Sequence, residues 1–464
     1  LVGSEMCIRD RCENHAAQRI SFRIGIPKEE GMVPVVVCNP HSWPVRTPVE
    51  LETGLFPMLP CADALTVTDC EGVQTPHQII QSASVAPNRV RVTFMAEVPA
   101  LGYAVYHLRR TEQAASEEQG NGDAFALENG LLCAELDKTT GELCTMVDKR
   151  TGRQLLSAAA SAVVYDDPTD TWGHTLKKID HACGSFRLAA IRVLDDGPVR
   201  KCVQTVSRFG ASALVRTYSL YAGEDLLRVT AKLNWQEHRR VLKLCFPLAI
   251  EQPQAVSEIP FGAGARRFDG LEETMQRWAD VSGEGCGLSL LNDGKYSVSF
   301  LNGAVCMTAA RSAIYAQHDP CEPEADMDYS YLDTGEQRFS YQLKLHAGDW
   351  RAARTVQDAA LLNQPAFAMY ETYHDGPLPQ RAGAIEIEKE NILLCALKLP
   401  YRGSGMIVRL RESRGERTQT ALTLFGQTQT LRFDPFEVKT FRITPDGRWE
   451  ETNLLEQVQS EETT

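Results

Sequence analysis

The 14 cysteines of this 464-residue chain include no CxxC pair, and no histidine pair stands beside them at metal-ligating spacing. Both absences disfavour a zinc module. No apolar run approaches the length needed for a membrane-spanning helix. Positive charge is also short: 48 Lys and Arg stand against 61 Asp and Glu, a formal net charge of −13. Nucleic acid and anionic membranes are held by clustered cations, so neither is an expected partner. A neutral ligand such as a sugar is compatible with an acidic surface. The cysteines are scattered singly from Cys7 to Cys395, many in apolar runs such as residues 35–38 (VVVC) and 393–395 (LLC). There cysteine acts as a small hydrophobe, and a chain this long needs no disulfide staples. The expectation is reduced thiols and a cytoplasmic location.

What is present reads as strand after strand. Alternating or short apolar runs bounded by Gly, Pro, Asn and Asp recur at residues 34–38, 89–94, 199–209, 213–221 and 226–235. The fold class expected is mainly β, built from sandwiches, and the length allows two to four domains. Residues 111–123 (TEQAASEEQGNGD) are polar, acidic and glycine-containing, which predicts a linker. Residues 349–362 predict a helix, which Asn363-Gln364-Pro365 would stop. No internal repeat of solenoid or propeller type is seen.

Residues 1–10 read LVGSEMCIRD and resemble a translated sequencing adaptor. They are set aside, with Arg11, as an artefact of that origin. The resulting expectation is of a reading frame opened inside a longer gene, with residues 12–29 a remnant of a preceding domain.

Several strings occur in order along the chain. They include residues 37–44 (VCNPHSWP), 99–108 (PALGYAVYHL), 137–156 (DKTTGELCTMVDKRTGRQLL), 195–200 (DDGPVR) and 234–247 (NWQEHRRVLKLCFP). Residues 258–262 (EIPFG), 276–280 (QRWAD), 291–296 (LNDGKY) and 437–441 (EVKTF) continue the series. Each is weak alone, but the ordered set resembles the region downstream of the catalytic domain in glycoside hydrolase family 38 α-mannosidases. Residues 167–174 (DPTDTWGH) resemble the bacterial branch of that family. The resemblance implies a small β-sandwich at 30–110, the linker at 111–123, and a large β-supersandwich of galactose mutarotase-like type at 124–350. A helical or irregular connector at 351–381, a C-terminal β-sandwich at 382–446 and a polar tail at 447–464 would complete the chain.

Members of this family are retaining enzymes, in which a nucleophilic Asp and an acid/base carboxyl flank the scissile bond about 5 Å apart. The resemblance further implies a zinc ion held by two His and two Asp in the N-terminal catalytic domain, the last His in an HHD-type motif. No HHD string occurs here, and His15, the only early histidine, matches no ligand pattern. No catalytic or metal residue carries over to this chain. Zinc is expected for the full-length enzyme, in the missing domain, and not here.

The residues expected to touch substrate are Asp170, Trp172 and His174. An indole face packs on a pyranose, while carboxylate and imidazole hydrogen-bond its hydroxyls. Beside this stands a structural reading, in which Trp172 packs into the sandwich and the carboxylates are solvated. Trp235, Glu237 and His238 read as strand, Arg266 and Arg267 as a solvated basic pair, and residues 292–294 (NDG) as a hairpin turn. Trp43 reads as an anchor of the small sandwich.

The function implied is the non-catalytic C-terminal portion of a retaining α-mannosidase. It would brace the catalytic domain and line part of the cleft for a mannose-containing oligosaccharide. The alternative is a stand-alone carbohydrate-binding or scaffold protein, and a weaker third is another glycosidase or a sugar epimerase on the same fold. The partners expected are the oligosaccharide and the missing catalytic domain; a homo-oligomer is left open. An exposed apolar docking patch and poor solubility in isolation are the corollaries.

Overall fold

A computed structural model describes residues 2–53, 65–82, 89–110, 125–174, 176–318 and 322–458. The predicted linker at 111–123 lies outside the described residues. The fold is mainly β, as expected, and the chain divides into two compact units. One joins Leu1–Glu118 to Gln364–Thr464; the other is Gln119–Asn363.

The first unit holds two sandwiches. In one, a six-stranded sheet is centred on Met32–Asn39 and Gly102–Arg110, with a three-stranded sheet of Val45–Thr53, Val90–Val98 and His77–Ile80 as the other layer. Phe94 and Tyr106 meet between the layers, ring centroids 5.0 Å apart. Asn39 closes one end. Its Nδ2 donates to the carbonyls of Trp43 and Pro99, both at 2.8 Å, and its Oδ1 accepts from the amide of His41 at 2.9 Å.

Within the connector expected at 351–381, and at its junction with the C-terminal sandwich expected from 382, two short segments join the first sandwich as strands. Phe367–Tyr370 pairs antiparallel with Met32–Asn39, and Arg381–Gly383 with Gly102–Arg110. The reason lies in the run Val35, Val36 and Val37, which is buried on both faces of its strand. A strand of that kind sits inside a sheet and needs a neighbour on each edge. Gly102 permits the second pairing, since a Cβ there would lie 2.1 Å from the Ala382 carbonyl oxygen. The segment expected to be a remnant also packs here: Ile24 and Ile26 are buried, and the amides of Gly25 and Ile26 donate to the carbonyls of Leu378 and His374. A helix, Val2–Ser21, precedes them, and of its described side chains Ala17 and Ser21 are the buried ones.

The C-terminal sandwich packs Ile385–Ile387, Thr418–Leu424 and Gln427–Phe433 against Ile392–Lys398, Met406–Glu412 and Val438–Ile443. Its core is Val408, Leu410, Leu422, Leu424 and Phe433. Trp449–Thr452, expected in the polar tail, adds a further strand beside Val438–Ile443. Its Trp449 ring packs on Phe441 at 5.7 Å, so one aromatic anchors an otherwise polar strand. At this end Leu399, Tyr401, Leu454 and Leu455 stand exposed.

The second unit contains sheets of four, six and nine strands around one continuous core. The alternation that marked Leu226–Trp235 is real: Val229, Ala231, Leu233 and Trp235 are buried while Lys232 and Asn234 are exposed. Buried in this unit, Arg216 donates through Nη1 to Glu142 at 2.8 Å. The predicted helix forms as Thr355–Asn363, with residues 350–354 in turns. One expectation about cysteine fails. Cys245 and Cys306 are directly opposed on neighbouring antiparallel strands, Cα atoms 4.1 Å apart, and form a disulfide. Residues 61 apart in sequence reveal such a pairing only once the strand register is known.

Candidate functional site

Ser161–Asp166 runs along the six-stranded sheet of the second unit and leads into residues 167–174 at its end. Asp and Pro there end the strand, and short Asp side chains cap the turns beyond it. The Asp167 carboxylate is fully buried. Its Oδ1 accepts from the Thr169 hydroxyl at 2.6 Å and the Thr169 amide at 3.1 Å, and its Oδ2 from Arg311 Nε at 2.7 Å. Arg311 Nη2 donates to the Thr169 hydroxyl at 2.9 Å and to the Asp170 carbonyl at 2.7 Å. The Thr171 amide donates to the Ile314 carbonyl at 3.0 Å, and the Ala316 amide to the Thr171 hydroxyl at 3.1 Å. The loop is therefore clamped from Asp167 to Thr171, and residues 172–174 project beyond the clamp.

The three residues expected to touch substrate fall into two groups. Asp170 is wholly buried. Its Oδ1 accepts from the amides of Trp172 at 2.9 Å and Gly173 at 3.1 Å, an Asx turn, and its Oδ2 has no hydrogen-bond partner among the described residues. Trp172, 63% exposed, and His174, also exposed, stand together in solvent with their rings nearly parallel (13°) and centroids 6.3 Å apart. The reading in which Trp172 packs into the sandwich fails: Trp172 is exposed, and Asp170 is the residue of the loop that is buried. Gly173 makes the turn between the two rings with φ +56°, a region costly to other residues.

Beside the loop lies a cavity of about 520 Å³, lined by Asp166, Asp167, Lys178, His181, Arg239 and Arg240 among others. Asp166 is shared: Oδ1 pairs with Arg240 at 2.6 Å and Oδ2 with His181 Nδ1 at 2.6 Å. The Arg239 guanidinium donates to the Pro168 carbonyl at 3.1 Å. Nearby His238 stacks on Tyr331, centroids 3.9 Å apart and planes within 10°. The lining offers polar donors and acceptors along a groove, which suits a hydroxylated ligand. Among the described residues no group of three or more His, Cys, Asp and Glu is placed to hold a metal. The described residues do not fit a zinc ion.

Sequence reasoning did not find Asp167 as the pivot of the loop, or Arg311 and the His238–Tyr331 stack as its neighbours. Arg311 lies 144 residues from Asp167, and no local pattern announces that contact. The other residues singled out are structural. Trp235 is buried, Glu237 accepts from the Ala211 amide and the Ser212 hydroxyl, and Arg266 pairs with Glu273. Asn292 Oδ1 accepts from the amides of Gly294 and Lys295, so residues 292–294 do turn, but the turn carries the chain from the nine-stranded to the six-stranded sheet and is not the hairpin expected.

Comparison with known proteins shows what the chain is similar to. Residues 127–320 match the glycosyl hydrolases family 38 C-terminal domain. The chain is 26% identical over 364 residues to alpha-mannosidase 2C1 of Homo sapiens, an alignment spanning 71% of this chain and 33% of that protein. It is 23% identical over 381 residues to alpha-mannosidase G of Dictyostelium discoideum, again 71% of this chain and 33% of the relative. An alpha-mannosidase from Enterococcus faecalis shares the fold with a TM-score of 0.72 at 15% identity, covering 92% of this chain and 58% of that one. Residues 127–320 are thus similar to a family 38 C-terminal domain, in line with the ordered motifs, and the chain spans about a third of the length of the curated relatives it matches.

Proposed function

We propose that this chain is the non-catalytic C-terminal portion of a retaining α-mannosidase acting on terminal α-mannosyl residues of oligosaccharides. In this reading its sandwiches brace a zinc-bearing catalytic domain in the cytoplasm, and residues 167–174 form part of the wall of the sugar cleft. The observation that carries the reading is the clamped loop presenting Trp172 and His174 side by side in solvent. Exposed, stacked rings on a rigid turn cost hydrophobic stabilisation, and a loop held this firmly is pre-organised for a ligand. Likeness to α-mannosidases over 71% of the chain supports mannose as the sugar.

Asp170 acts indirectly here. Buried beneath the turn, it fixes the amides of Trp172 and Gly173 and so aims the indole. Trp172 supplies an apolar face and His174 a hydrogen-bonding edge. The nucleophile, the acid/base and the metal belong to the catalytic domain, and no residue of this chain is assigned to them.

Tryptophan fluorescence tests the reading. Trp235, Trp278 and Trp350 are buried, Trp43 and Trp449 half-buried and Trp172 exposed, so Trp172 contributes most at the red edge. Titration with an α-linked mannotriose is expected to shift that emission, and Trp172→Ala to remove the shift and weaken binding. Binding that Trp172→Ala leaves unchanged would overturn it in favour of a scaffold role.

A further inference from the structure

On the same six-stranded sheet a second polar cluster faces a separate cavity. Lys243, its side chain 3% exposed, donates through Nζ to Glu272, to the Ser299 hydroxyl at 3.1 Å and to the Ile179 carbonyl at 3.1 Å. The Tyr165 ring lies 5.2 Å from the same nitrogen. Glu272 takes Lys243 on Oε1, and on Oε2 accepts from the hydroxyls of Ser297 at 2.8 Å and Thr308 at 3.1 Å. Three donors fix this carboxylate, and its two oxygens have room for about four. It is not sealed in: the side chain is 17% exposed and lines a cavity of about 520 Å³.

The rest of that cavity indicates what it would accept. Its charged lining among the described residues is balanced, Glu272 and Asp333 against Lys295 and Arg311, so its net charge favours neither an anion nor a cation over a neutral ligand. Tyr296 lines it with its side chain 58% exposed, a ring free to cover an apolar face. Burial lowers the Lys295 ammonium below the usual lysine range, while Asp333 and Asp293 pull it back, which marks this side of the unit as partly dry. Arg311 lines this cavity and also clamps the loop through Asp167 and Asp170. The cavity and the loop are therefore neighbours across one guanidinium.

We infer that Glu272 and Tyr296 form a second carbohydrate subsite, in which the carboxylate accepts a hydroxyl hydrogen bond from a neutral sugar ring and the tyrosine covers that ring's face. The inference extends the reading of residues 167–174 as a sugar-contacting wall. One oligosaccharide would lie with different residues on Trp172 and on Tyr296. The Lys243 ion pair at the back of Glu272 makes this carboxylate a positioned acceptor.

Calorimetric titration of the intact chain with an α-linked mannotriose tests this, using Tyr296→Ala, Glu272→Gln and Trp172→Ala. Loss of an aromatic face is expected to weaken binding about tenfold in Tyr296→Ala, and Glu272→Gln should weaken it comparably. Glu272→Gln leaves Lys243 without its counter-charge and is expected to melt earlier. Tyr296→Ala removes an exposed side chain and keeps the fold, so it carries the test if the Glu272 variant fails to fold. Unchanged affinity in Tyr296→Ala overturns the subsite, and if Trp172→Ala still loses binding the loop reading survives without it. Weakening in Tyr296→Ala but none in Trp172→Ala supports the subsite and overturns the loop. No binding by the parent chain overturns both.

Discussion

Arg311 Nε donates to Oδ2 of the buried Asp167 at 2.7 Å, across 144 residues of sequence, and the same guanidinium holds the Asp170 carbonyl. Removing the cation while keeping the bulk, as in Arg311→Met, strands a carboxylate with no exposure to water. The expected cost is roughly 2–4 kcal/mol, because breaking a buried pair from one side leaves an uncompensated charge. Urea unfolding would measure it. Limited proteolysis should show new cleavage within residues 166–176, and a variant that unfolds and resists proteolysis like the parent would contradict the clamp.

Trp172 makes the opposite case. Its side chain is mostly in solvent, so Trp172→Ala should leave stability within about 0.5 kcal/mol of the parent. Binding of an α-mannoside should fall at the same time. A large loss of stability in a thermal melt would show that the indole is structural.

The Glu142–Arg216 pair tests the core of the second unit. Both side chains are less than 10% exposed, and Arg216 Nε and Nη2 lack hydrogen-bond partners among the described residues. Glu142→Leu alone should cost about 3–5 kcal/mol, and Glu142→Leu with Arg216→Met should recover most of it, since desolvation offsets much of what such a pair contributes. A double variant as unstable as the single one would mean that the ions provide more than mutual neutralisation.

Cys245 and Cys306 give a chemical prediction. Alkylation of the unfolded, unreduced chain and mass spectrometry of its digest should recover their two peptides joined by a disulfide. Fourteen alkylated cysteines would instead support the reduced state that the scattered cysteine spacing suggested.

Much of the fold is legible in the sequence because strands announce themselves locally. Leu226–Trp235 alternates, and the Asp, Pro, Thr and Gly of residues 167–174 mark a turn. The sandwich partners Phe367–Tyr370 and Arg381–Gly383 are hidden by their brevity and by the prolines around them, which read as a connector. Trp449–Thr452 is hidden by its acidic composition. Within the site, the three substrate candidates are legible from residue type, but their division into one buried and two exposed is not. That division is set by Arg311 and Ile314, which arrive from a distant strand and its exit, and by the depth at which Asp167 is anchored. Glu272 and Lys243 are unreadable for the same reason: each is an ordinary charged residue until the sheet brings them together.

The proposed brace would contact sugar without itself cutting the glycosidic bond. The most direct test is to assay the purified 464-residue chain, with and without added zinc, against an aryl α-mannoside. No turnover is predicted under either condition. Turnover that co-purifies with the chain would contradict the brace and place the catalytic carboxylates within these residues.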